Sequence, residues 1–150
     1  MMTKADIIKA IEVLEIYHKE QLSKIAQLID GYKVKNLTPL NKEECEFGRW
    51  LYGEGKSIES LLGLQFYNNI ELMHSFWHDE YKKIYEIFYD TKKNTLLKFC
   101  FGCRKKSISG EMSKKAKEYF RELQAITQNL LKALTVSKTR LLALNESAFA

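Results

Sequence analysis

The stretch QFYNNIELMHSFWHDEYKKIYEIFY, residues 65–89, decides how this chain folds. Ile70, Met73, His74, Trp77, Tyr81, Ile84 and Phe88 recur at intervals of three and four, which puts them on one face of a helix. His78 and Tyr85 stand on the shoulder of that face. A stripe this long predicts a helix with one buried side and excludes an alternating strand. Two of the chain's three histidines lie in the stretch, four residues apart, so they stack on neighbouring turns.

The same period extends outward in both directions. Thr3 is a suitable N-cap for a helix that runs to Gly31, with Ile7, Ile11, Leu14, His18, Leu22, Ile25 and Ile29 on its inner face. A linker with the only proline, Pro39, follows. Asn41 and Glu44 suggest a capping box for a helix carrying Cys45, Phe47, Gly48, Trp50, Leu51 and Tyr52, which should fail near Gly53 and Gly55. Ser57 is placed to cap a short helical turn through Leu61 and Leu62. A last helix is expected over about 113–145, with Ala116, Phe120, Leu123, Thr127, Leu130, Leu134 and Leu141 facing inward. The expected fold is all-α: an antiparallel four-helix bundle with a short extra helix and a long C-terminal helix. Residues 1–150 read as one domain.

Composition agrees. One proline and seven glycines leave little material for the many tight turns of a β-sandwich. No segment has the apolar length to insert in a membrane, and the start, MMTKADIIKA, lacks a signal-peptide core. Three cysteines, an odd number, argue against a secreted disulfide framework and for a reduced, cytoplasmic setting. Residues 1–90 hold 11 Lys+Arg against 15 Asp+Glu, whereas 91–150 hold 13 against 4. The basic excess reads as a solvated loop and helix face, and no nucleic-acid-binding signature accompanies it.

His18, His74 and His78 all fall on or beside inward faces. One core histidine needs only a hydrogen-bond partner. Three are harder to bury, because each imidazole left unpartnered costs free energy. A shared metal ion removes that cost, and Cys45 adds a thiolate from another helix. Three nitrogens and one sulfur suit tetrahedral Zn²⁺. The predicted metal ligands are therefore His18, Cys45, His74 and His78.

The run CEFGRW, with Cys45, Phe47, Gly48 and Trp50, resembles the Cys-x-hydrophobic-Gly-x-aromatic signature of the chemoreceptor zinc-binding domain. In that family an upstream histidine precedes the block and His-x-x-x-His follows it. Here His18 stands 27 residues before Cys45, and His74 and His78 stand 29 and 33 residues after it. The resemblance covers about residues 10–88 by motif and reaches the last helix by hydrophobic pattern. It implies the same four zinc ligands, a helical bundle and a dimeric habit. It also implies a role in chemotaxis or cyclic-di-GMP signalling, where such domains modulate an output domain. The sequence departs from the family at one position: Gln21 stands where an aromatic residue or leucine is usual, with Leu22 next. For Gly48 the expected role is to let another helix or the metal shell approach, and for Trp50 to shield the site from water.

Other signals are weaker. Cys100-x-x-Cys103 could be a redox pair or half of a second zinc site, but no βαβ context surrounds it. GEGKS, residues 53–57, imitates a phosphate loop whose first glycine would have to be Trp50. Glu15 and Glu71 each precede a histidine by three residues, the spacing of di-iron carboxylate bundles, or else flank the stripe as partners of the histidines. The last helix offers no inward glutamate to complete an iron pair. The reading that follows is a zinc-binding sensory module, not an enzyme, that acts through a signalling partner. An iron-binding bundle and a metal-free helical adaptor are the alternatives. The apolar stripe running to Leu141 and Leu144 is expected to outrun the other helices and to be covered in a homodimer or by that partner.

Overall fold

The computed structural model describes residues 2–89 and 107–150. The basic residues from Lys92 to Lys106 lie outside them, and so does Cys100-x-x-Cys103, whether read as a redox pair or as half of a second zinc site. Five helices make up the described chain: α1 (Lys4–Ile29), α2 (Glu46–Tyr52), α3 (Ser57–Leu62), α4 (Leu64–Phe88) and α5 (Gly110–Ala143). A 3₁₀ turn, Glu54–Lys56, joins α2 to α3, and another, Glu146–Phe149, follows α5. No helix among the described residues is long and apolar enough to cross a membrane.

Local chemistry sets the ends. Thr3 and Asp6 form a reciprocal capping box at the start of α1, and Gly31, at φ +91°, lets the chain leave its end. The buried face of α1 is Ile7, Ile11, Leu14, His18, Gln21, Ile25 and Leu28, so Gln21 takes the inward position expected of Leu22. Ser109 caps α5 by accepting from Met112 N–H, which starts that helix three residues before the expected Ser113. Asn41 and Glu44 do not form a capping box. Asn41 instead turns the chain locally, its side chain accepting from Glu43 N–H, and Cys45 itself is the N-cap of α2. Ser57 is likewise the first residue of α3, its hydroxyl bonded to Glu54 O and not to a helix N–H.

The all-α bundle expected from the sequence is found, but not its antiparallel four-helix form: three long helices carry it, α1 and α4 are parallel, and α2 and α3 are short. The core divides into two apolar clusters. One gathers Ile7, Ile11 and Leu14 with Phe47, Leu51, Ile70, Leu134 and Leu141. The other gathers Ile25 and Leu28 with Trp77, Tyr81, Ile84, Phe88, Ala116 and Leu123. Both α1 and α4 pass from the first cluster to the second, while α5 runs against them. The linker makes this parallel pair feasible. Val34, Leu37 and Leu40 pack on the second cluster, and Cys45, Phe47 and Leu51 then return the chain to the first.

The C-terminal end of α5 is not an exposed ridge. Leu141 is fully buried in the first cluster, Leu144 and Phe149 pack there, and Lys4 Nζ donates to Leu144 O at 2.7 Å. The start of α1 covers the stripe that was expected to need a second chain. The extra length of α5 lies at its other end, where Gly110, Glu111, Met112, Lys114 and Lys115 are exposed.

Candidate metal centre

Between the two apolar clusters lies a polar layer. His18 enters from α1 one turn after Leu14, and His74 and His78 enter from α4 on either side of Trp77. Cys45 enters from the N-cap of α2. All four are buried, His78 at 4% exposure and the others at 0%. From α5 comes only Thr127, whose hydroxyl accepts from Trp77 Nε1 at 2.9 Å. Aromatic rings seal the layer. Phe47 lies 4.8 Å from the His18 ring and 4.6 Å from the His74 ring, centre to centre, and Trp77 lies 5.2 Å from both His18 and His78. The shielding expected of Trp50 thus falls to Phe47 and Trp77; Trp50 is half-buried behind Phe47.

Cys45 owes its position to the turn before α2. Its Sγ accepts from Gly48 N–H at 3.1 Å and lies 3.3 Å from Lys42 O. That carbonyl occupies the space a Cβ on Gly48 would need. What comes close to Gly48 is its own chain six residues earlier, and not another helix or a metal shell.

The histidines are held as neutral ligands are held. His78 Nδ1 lies 2.9 Å from Leu40 O, and His18 Nδ1 lies 3.2 Å from Leu14 O. A carbonyl oxygen only accepts, so both Nδ1 atoms carry the proton and both Nε2 atoms present a lone pair. His74 turns Nε2 toward Cys45 Sγ at 3.2 Å. His18 Nε2, His74 Nδ1 and His78 Nε2 are buried with no hydrogen-bond partner. Burial lowers the pKa of His18 and of His78 to about 4, against the backbone bond that each makes. Burial, with His78 and His18 nearby, takes His74 to about 2. Burial also pushes the Cys45 thiol up to about 11, opposed by the N–H groups of Gly48 and Phe47.

The donor set fits zinc. Donor atoms of Cys45, His74 and His78 lie within 4.8 Å of one another. In a tetrahedron with Zn–N near 2.0–2.1 Å and Zn–S near 2.3 Å they would be about 3.3–3.6 Å apart, so a small contraction suffices. His18 stands beside this trio, its ring 5.7 Å from that of His74, and is not within the same span. Neither carboxylate that could have built an iron pair joins them. Glu15 reaches Thr135 and Lys138 on α5, and Glu71 accepts from Lys42, Tyr52 and Ser75. Nor are these glutamates partners of the histidines, as their spacing allowed.

The family model of the chemoreceptor zinc-binding domain matches residues 18–85. Over that span the chain is similar to a chemoreceptor zinc-binding domain. The match opens on His18 and takes in Cys45, His74 and His78. The family is one of sensory, zinc-binding signalling domains and is not a catalytic one. No curated protein and no solved structure matches the chain.

Three features of the domain's site escape sequence reading. They are the Leu40 carbonyl that orients His78, the Lys42 carbonyl under Gly48, and the clamp of Lys42 on Glu71 and Ser75, at 2.6 Å each. Gly48 signalled a close approach without naming Lys42 O, and Gln21 stood out as a departure from the family pattern.

Proposed function

We propose that His18, Cys45, His74 and His78 hold one zinc ion per chain. We further propose that the domain is a regulatory module of bacterial signal transduction, of the chemotaxis or cyclic-di-GMP kind. The observation that carries this reading is the meeting of a buried thiol with three buried imidazoles, each of which has a ring nitrogen without a protein partner. When bound, zinc supplies a tie among α1, the start of α2 and α4. Because that tie crosses the boundary between two apolar clusters, losing it changes how the helices pack, and a partner protein can read such a change.

Cys45 gives the module its sensitivity to oxidants. The thiolate sulfur attacks one oxygen of hydrogen peroxide, the O–O bond breaks with hydroxide leaving, and the resulting sulfenic acid (S–OH) is a poorer ligand. The thiol is fully buried, so this requires the 41–48 turn to open. A reduced cytoplasm suits a cysteine used in this way. Homodimerisation follows the family's habit. The stripe through Leu141 and Leu144 is covered within the chain, and the large apolar residues left exposed include Leu72 and Phe76 on α4, Val13 and Ile16 on α1, and Val136 and Leu142 on α5.

Metal content of the untagged chain tests the reading, with Cys45→Ala beside wild type. The expected result is about one zinc per chain in wild type and a large loss of affinity in the variant. A wild-type chain that takes up iron in preference to zinc, or no metal from zinc-replete buffer, overturns it.

A further inference from the structure

Gln21 is polar, 4% exposed, and lies one turn beyond His18 on the inner face of α1. A buried amide there needs partners, and it finds them in the linker between α1 and α2. Its Oε1 accepts from Thr38 N–H at 2.9 Å, and its Nε2 lies 3.5 Å from Asn36 O. Thr38 is itself buried at 3% exposure, and its other polar groups are also taken up by side chains of the bundle. Tyr81 of α4 donates to Thr38 O at 2.9 Å, and Tyr17 of α1 bonds the Thr38 hydroxyl. A linker residue without secondary structure is thus tied by N–H, C=O and hydroxyl to two helices. Leu40, two residues on, presents the carbonyl that accepts from His78 Nδ1.

We infer that Gln21 is a positioning residue for the metal centre. Through Thr38 it fixes the linker so that Leu40 O holds the His78 imidazole with its proton on Nδ1 and its Nε2 turned to the site. An imidazole free to rotate or to exchange tautomers must be ordered when the ion binds, and that ordering lowers affinity. A leucine or aromatic residue at position 21 could fill the space but could not bond Thr38 N–H. The inference rests on the zinc-site reading for its effect on affinity, but not for its effect on the histidine.

The test uses the full chain and Gln21→Met, which keeps length and removes the amide. Two quantities are read: zinc affinity by competition with a chromophoric chelator, and histidine tautomers by ¹⁵N NMR of the metal-free protein. His18 is the internal control, since its Nδ1 is held by Leu14 within its own helix. The expected result is an affinity lower by about tenfold, with His78 populating both tautomers and His18 unchanged. An affinity within about twofold of wild type overturns the inference. So does a disturbance shared equally by His18 and His78, which would mark a general loosening of the fold. Should Gln21→Met not fold, Tyr81→Phe releases Thr38 O without a change in packing volume and is read by the same criteria. The tautomer measurement needs no metal. A wild-type chain that takes up no zinc would sink the zinc reading, yet the response of His78 would still decide whether Gln21 positions it.

Discussion

The carbonyl oxygen of Lys42 sits against Gly48, in the place where any side chain on that residue would begin. This contact folds residues 42–48 into a turn tight enough for Cys45 Sγ to cap α2 and still face His74. Gly48→Ala must therefore push two stretches of backbone apart, which no rotamer change can absorb. We expect a loss of about 1–3 kcal/mol in the metal-free protein by denaturant unfolding. A fall in zinc affinity of at least about tenfold should accompany it, because the sulfur is displaced. Wild-type affinity in Gly48→Ala would mean that the turn does not place the ligand.

Zinc binding should release protons, and from one residue. Burial keeps the three histidines neutral at pH 7, whereas Cys45 keeps its proton up to about pH 11 when no metal is present. Only the thiol then has a proton to lose, so about one proton should leave per zinc bound near neutral pH. Calorimetry in buffers of different ionisation enthalpy measures this number directly. In Cys45→Ala it should fall close to zero.

The metal-free fold should weaken in acid. His18 and His78 titrate near pH 4 when folded, against about 6.5 in an unfolded chain. Between those values the unfolded chain binds more protons, so stability rises with pH and is lost as pH falls from about 6.5 toward 4. His18, fully buried, would alone account for about 3 kcal/mol by pH 4. Cys45 acts at the other limit. Its folded pKa is raised, so the unfolded chain gives up its proton first, and stability falls from about pH 9 toward 11. Denaturant midpoints across this range check both limbs, and a flat acid limb would mean that the histidines are not buried as neutral groups.

Access to Cys45 should depend on the clamp across the turn. Lys42 Nζ lies 2.6 Å from both Glu71 Oε1 and Ser75 Oγ, and Tyr52 donates to the same carboxylate at 3.0 Å. Lys42 and Glu71 are each about one-third exposed, 34% and 29%, so solvent screens the pair and its worth is about 0.5–1 kcal/mol. Glu71→Gln should then speed alkylation of Cys45 in the metal-free protein by roughly two- to fivefold. An unchanged rate would show that the thiol is reached by another route.

Helix periodicity determined most of what the sequence alone could settle. It placed Ile7 to Ile25 on the inner face of α1 and Ile70 to Phe88 on that of α4, and it turned all three histidines inward. A helix advances by a fixed angle per residue, so a side chain's direction relative to its own helix is local information. The spacing of the histidines around CEFGRW carried the resemblance to the family for the same reason, since the motif is read without knowing where the chain goes.

What only the tertiary structure decided lies where no period exists. The path of residues 30–45 makes α1 and α4 parallel, brings Leu40 O to His78, and lets Gln21 bury its amide where an apolar Leu22 was expected. Whether the stripe at Leu141 needed a partner chain depended on where the start of α1 came to rest, and Lys4 and Ile7 lie over it. Gly48 was legible as a close approach, but not as an approach by Lys42 O. Each of these contacts joins residues whose relative placement is fixed by the packing of other elements, and periodicity along a single helix carries no information about that packing.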